Sequence, residues 1–384
     1  MELSNKMTME IFSKLEQQWL ATQTTLNSDT KKTKILSIDG GGISASIAAA
    51  FLVHLEETIQ SKTGVTSARV VDFFDIVAGT GVGAILAVLI TAADSTTGRP
   101  LFSAAEAASF LTNNAGKLFK PRRSGVFRRN SGKFSGDSLS AVMKQTFQNM
   151  TLKDTCKPIL IPCYDTVSSA PFVFSRAAAS ASSLDFELWK VCCAAVATPA
   201  VFDPFKLSSV DGKTSVVAVD GGVVMNNPSA AAVTHVLHNK VEFPTVNGVE
   251  DLLVLSLGNG TLSCRGIGEN WGGSSKKMTR CVVDVAVDGV SETVDQMLGN
   301  AFSWNRNDYV RIQANGFDES GSMTMEKALK ERGIESLAFG GKRLLPETNA
   351  DRIEGFVQRL ISASPKTSLP PSPYKSLTPL LDGR

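Results

Sequence analysis

The sequence predicts an α/β fold in which a mainly parallel sheet is covered by helices on both faces. Three observations lead there. Short apolar runs of strand length recur along the chain and alternate with segments of helical apolar spacing. These runs are nearly continuous in apolar residues, as expected of strands buried on both faces. Glycines stand directly after several of them, where such sheets bind ligands.

The elements follow in order. Residues 1–33 read as an amphipathic helix and a polar linker, with Ile11, Phe12, Leu15 and Trp19 on one helical face. Residues 34–39 form a short apolar strand that runs into Gly40, Gly41 and Gly42, and a helix follows over 48–57. A second buried strand at 73–78 is again broken by glycines and leads to an apolar helix at 84–93. Further strands are expected at 158–164, 172–175, 216–219 and 252–257, and helices at 186–196, 229–238, 284–298 and 350–362. The tail from Ser364 carries Pro365, Pro370, Pro371, Pro373 and Pro379 with little apolar content, which predicts disorder. The chain thus divides into an N-terminal helix and linker (1–33), one domain with a C-terminal helical extension (34–363) and a tail (364–384).

Composition narrows the function classes. With 43% hydrophobic and 20% charged residues the chain is ordinary for a globular protein, and its 384 residues bury a core without disulfides. Its six cysteines follow no regular framework and include the neighbours Cys192 and Cys193, the thiol usage of a reducing compartment. Three histidines and no C-x-x-C pair leave little for a metal site, and neither metal nor cofactor is expected. A net charge of +2 and the lack of a nucleic-acid motif argue against nucleic acid as a partner. The N-terminus lacks the apolar core of a signal peptide, which favours the cytoplasm. Residues 76–93 are 18 positions without a charge, the lower limit for a membrane span. Gly79, Gly81 and Gly83 instead mark a tight turn between two buried elements.

Three segments carry the chemistry. In the first, Asp39 precedes Gly40, Gly41 and Gly42 at a strand end. Such a run exposes backbone N–H groups that can hold an oxyanion, or it is simply a tight strand-to-helix turn. In the second, Gly79-Thr80-Gly81-Val82-Gly83 has the strand–turn–helix pattern of a nucleophile elbow, G-x-S-x-G, with Gly81 at the nucleophile's position. The same glycines with Ala84 also match G-x-G-x-x-G/A, but the dinucleotide reading needs a second strand ending in an acid about 20 residues on. Here a polar loop, residues 94–100, follows the helix. In the third, a strand delivers Asp220 ahead of Gly221 and Gly222, then Asn226-Asn227-Pro228. An acid so placed serves as a general base or as a loop residue.

In this order and spacing, the three segments resemble the patatin-like phospholipase family, with its D-G-G-G oxyanion loop, G-x-S-x-G elbow and D-G-A/G aspartate. Residues 189–205 and the LSLGNG run at 255–260 are similar to family segments as well, so the resemblance covers about residues 34–260. The chain looks most like a plant patatin-related group that carries G-x-G-x-G, which residues 283–312 also resemble. The resemblance implies a three-layer α/β/α fold and non-specific lipid acyl hydrolysis on phospholipids and galactolipids, in plant lipid metabolism. It implies Asp220 as proton acceptor, Gly40–Gly42 as the oxyanion loop, and Asp39, Gly79, Gly83, Gly221 and Gly222 as motif support.

Two residues depart from the family pattern. Gly81 removes the serine, and Ala45 stands where the family has another glycine. Without the serine, Asp220 would act on water directly, with Thr80 and Ser44 as nearby hydroxyls of poor direction. Serine hydrolases stripped of a triad member keep about 10³–10⁴-fold catalysis over water. The competing expectation is a catalytically impaired lipid-binding or regulatory protein. A docking surface, or simply a solvated basic loop, is expected between Lys117 and Lys133, where seven basic residues, among them Arg122, Arg123, Arg128 and Arg129, occur with Phe119 and Phe127 and no acid. Its partner would be an anionic membrane, contacted peripherally.

Overall fold

The computed structural model describes residues 32–41, 46–121, 134–199, 201–260, 275–314, 325–337 and 341–362. The expected N-terminal helix, the proline-rich tail, Gly42, Ser44, Ala45 and the arginines Arg122, Arg123, Arg128 and Arg129 lie outside these residues.

The chain is α/β. Its main sheet contains β1 (Thr33–Ile38), β2 (Ile76–Gly79), β3 (Ile159–Asp165), β4 (Ala170–Ser175), β5 (Phe205–Ser208), β6 (Ser215–Asp220), β7 (Leu252–Leu257) and β8 (Tyr309–Ile312). Their order is β5-β6-β3-β2-β1-β7-β8, with β4 paired to β3. The run β3-β2-β1-β7-β8 is parallel throughout. A separate antiparallel hairpin joins β9 (Arg332–Leu337) and β10 (Gly341–Thr348).

Two apolar cores flank the sheet because alternate residues of each strand face opposite sides. Leu36, Ile38, Val77, Leu253 and Leu255 pack into one core with α1 (Ser46–Thr63), α2 (Gly81–Thr91), α3 (Ala104–Leu118), α4 (Gly136–Phe147) and α5 (Leu188–Ala195). Ile35, Ile76, Leu252 and Val254 pack into the other. There they meet the later helices, which follow α6 (Gly222–Met225): α7 (Ser229–His238) through Val233 and Val236, and α8 (Ser275–Ala301) through Leu298. The chain ends its described part with α9 (Met325–Lys330) and α10 (Asn349–Ser362), whose Phe356 stacks on Phe74 at 6.3 Å. Helix α2 is buried at every position from Gly81 to Thr91, which accounts for its uncharged run. Among the described residues, no helix is long and apolar enough to cross a membrane.

The sheet departs from simple alternation at β3. This strand meets β2 through Ile159 and Leu160, then β6 through Cys163, Tyr164 and Asp165. Strand β6 runs antiparallel to β3, so its last residue, Asp220, pairs with Cys163. Asp220 therefore lies just past the point where Ala78 of β2 pairs with Leu160. An antiparallel strand thus brings an acid to the carboxyl ends of parallel ones.

Candidate active site

The three segments singled out in the sequence meet at the carboxyl ends of β1 and β2. Strand β2 ends at Gly79, Thr80 follows in extended conformation, and α2 begins at Gly81. Gly81 has φ +55°, the left-handed region that an elbow imposes on its central residue. A Cβ built there would lie 3.5 and 3.6 Å from the two carboxylate oxygens of Asp220, and 3.2 Å from Cα of Gly40. Gly40, Gly81 and Asp220 hence border one small space, at the position where a side chain on residue 81 would stand.

Close approach explains the glycines on either side of the elbow. A Cβ on Gly83 would sit 2.4 Å from the carbonyl oxygen of Asp39, and one on Gly79 2.5 Å from that of Gly83. Strand β1 and the start of α2 pack backbone on backbone here, with no room for a methyl group. Gly221 packs equally tightly on Pro162. The short helix α6 is pinned to both other segments. The Gly40 N–H donates to the Asn226 carbonyl at 3.0 Å, and the Thr80 hydroxyl donates to the Met225 carbonyl at 2.9 Å.

The Gly40 N–H is therefore spent on Asn226 and does not face an oxyanion. Gly41, with φ +147°, is the other described member of the run, and its exposure is intermediate. Asn259, from the LSLGNG run, staples the loop. Its side-chain amide donates to the carbonyls of Asp39 (2.9 Å) and Gly40 (3.1 Å), and its oxygen accepts from the Ala48 N–H (3.1 Å).

Asp220 is buried, at 8% exposure. The Thr198 hydroxyl donates to its Oδ2 at 2.7 Å, and the Gly222 N–H donates to its Oδ1 at 2.8 Å. Burial pushes its carboxyl up to about 6, against the lowering effect of those two hydrogen bonds. Such a group is ionised at neutral pH yet basic enough to take a proton. Cys163, its strand partner, is no nucleophile, because burial pushes its thiol up to about 12.

Asp39 faces away from this space, into a buried ion pair. Arg311 of β8 donates through two nitrogens to its two oxygens, at 2.7 and 2.5 Å. Ser291 of α8 donates to the same carboxylate at 3.0 Å, and Arg311 also reaches Ser256 of β7 at 2.8 Å. Sequence reasoning marked Asp39 as part of a motif but did not find Arg311 or Ser291. Both lie within residues 283–312, the stretch that resembles the plant group, but no local pattern there marks a partner for Asp39. It also missed Thr198, which lies in the segment before the aspartate. Among the described residues, no three His, Cys, Asp or Glu side chains are grouped to hold a metal.

The family model described as patatin-like phospholipase matches residues 36–233. The chain is 58% identical over 394 residues to "Probable inactive patatin-like protein 9" of Arabidopsis thaliana, covering all of both sequences. It is 42% identical to "Patatin-like protein 6" of the same plant, covering 88% of this chain and 73% of that one. To "Patatin-like protein 3" of Oryza sativa subsp. indica it is 38% identical, covering 94% and 91%.

Proposed function

The chain belongs to the patatin-like phospholipase family, and from that premise we propose that it is a slow lipid acyl hydrolase whose proton acceptor is Asp220. One observation carries the reading. A buried carboxylate, pushed up to about 6, borders the space over Gly81 together with the glycine loop. An ester carbonyl seated there would meet an O–H group activated by Asp220. The Gly41 N–H would face the developing oxyanion. The substrates are membrane glycerolipids, phospholipids and galactolipids. The protein works from the cytoplasm by peripheral contact, through the basic segment that contains Arg122, Arg123, Arg128 and Arg129.

Fatty-acid release from mixed phospholipid and galactolipid vesicles tests the proposal. Wild type should release acid, and Asp220→Asn should lose at least about 10²-fold, the usual worth of a general base. Gly81→Ser should release faster than wild type, since its side chain would start 3.5 Å from Asp220. Equal rates for wild type and Asp220→Asn would reject Asp220 as the base. Neutralising the four arginines should weaken sedimentation with anionic vesicles, at about 1 kcal/mol per charge lost near the surface.

A second reading has an observation of its own. Gly81 carries no nucleophile, and the relative at 58% identity is named as probably inactive. On that reading the site binds lipid without cleaving it. Release by Gly81→Ser but none by wild type would establish it.

A further inference from the structure

With the serine position empty of a side chain, the hydroxyl that meets Asp220 among the described residues is that of Thr198, at 2.7 Å from Oδ2. A nucleophile and its base stand at about 2.6–3.2 Å in working hydrolases. Resting on the hydrolytic reading above, we propose that Thr198 is the nucleophile of this site, replacing the serine that Gly81 lacks.

Position supports this assignment. Thr198 lies where the chain leaves α5 for β5, and its backbone is fixed to the site because the Asp220 N–H donates to the Ala197 carbonyl at 3.0 Å. Thr198 is half-buried and Pro199 beside it is exposed. Asp220 itself is nearly enclosed. Gly81 then has a purpose beyond absence. A serine there would bring a second hydroxyl beside both Asp220 oxygens and take over the role of Thr198, whereas glycine leaves Oδ2 to Thr198. The other hydroxyl of the elbow is unsuited, since Thr80 is fully buried and donates to the Met225 carbonyl.

The chemistry closes in two steps. The Thr198 oxygen attacks the ester carbonyl carbon while its proton passes to Asp220 Oδ2. Collapse breaks the bond between that carbon and the alcohol oxygen, and the alcohol leaves with the proton from Asp220. The product is acyl-threonine. Water then gives a proton to Asp220 and attacks the acyl carbon. The Thr198 oxygen leaves and recovers that proton, and free fatty acid departs.

The test uses the full chain with a fluorophosphonate probe, peptide mass spectrometry and hydrolysis of p-nitrophenyl butyrate. Wild type, Thr198→Val, Thr198→Ser and Asp220→Asn are compared, with thermal unfolding as a check that each is folded. The inference expects the phosphonyl adduct on residue 198 in wild type and Thr198→Ser. Hydrolysis should fall at least about 10²-fold for Thr198→Val, and Thr198→Ser, which keeps the hydroxyl, should recover at least about 10-fold of that loss. If Thr198→Val hydrolyses at the wild-type rate while Asp220→Asn is dead, Asp220 works on water. The inference then fails while the proposed function stands. An adduct mapped to another residue overturns it equally. If wild type shows neither an adduct nor Asp220-dependent hydrolysis, the hydrolytic reading falls, and this inference with it.

Discussion

Asp220 is the residue whose environment has the most measurable consequence. Burial disfavours its ionised form, so the folded protein holds this proton to about pH 6, against an ordinary 3.8. The folded state thus binds the extra proton between those values, and the contribution of this group to stability falls as pH rises through that window. The shift corresponds to at most about 3 kcal/mol. Asp220→Asn should gain stability relative to wild type as pH goes from about 4 to about 6, read from urea midpoints at each pH. The hydrolytic rate should run the other way, rising with pH along a limb centred near 6, because the base acts only when ionised. Gly81→Ser places a side chain at φ +55°, which costs an L-residue about 1–2 kcal/mol. A lowered urea midpoint with a raised rate would display both effects in one variant.

Between elements, the Asp39–Arg311 pair ties the end of β1 to β8, with Ser291 of α8 and Ser256 of β7 closing the cluster. The pair is almost wholly enclosed, with side-chain exposures of 6% for Arg311 and 2% for Asp39. Removing one partner leaves a buried charge alone, which costs about 3–5 kcal/mol. Arg311→Met should lose that much in denaturant unfolding and should loosen the glycine loop that begins at residue 40. Backbone contact between elements is as demanding. Gly83→Ala would drive a methyl group to 2.4 Å from the Asp39 carbonyl, so β1 and α2 must separate. A loss of about 1–3 kcal/mol is expected from such overpacking, read from thermal unfolding.

At the scale of the whole molecule, two cores on opposite faces share a sheet whose parallel run extends from β3 to β8. The last described helix belongs to that body, since Ile353, Phe356, Val357 and Leu360 of α10 lie in the larger core. Lys32, at the first described position, is bonded to Asp308 at 2.5 Å, next to β8. A fragment of residues 32–362 therefore contains both cores and should fold by itself. Its thermal midpoint is expected within about 4 °C of the full chain, a difference of less than about 1 kcal/mol. A much larger drop would place residues outside that range in the folded body.

Elements and motifs that depend on local pattern can be read along the chain. Strand β7 and helix α7 have the expected bounds, and strand β1 differs by one residue at each end. The elbow was legible because a strand, a tight glycine turn and an apolar helix follow one another within one short stretch, although the contact that excludes a side chain at Gly83 is with Asp39 of a distant segment. Helices α3 and α4 escaped notice although Ala104, Ala107 and Leu118 in one, and Leu139, Val142, Met143 and Phe147 in the other, are buried at helical spacing, and strand β8 because it is only four residues long. Which distant residues meet follows from the folded arrangement. The expected strand at 216–219 gave no direction, and the turn at 209–214 folds β6 back on β5 as an antiparallel strand. That reversal sets Asp220 beside Gly81. Arg311 and Asp39 are 272 positions apart, and Thr198 precedes Asp220 by 22. Such pairs are fixed by packing in three dimensions, and no periodicity along a chain encodes them.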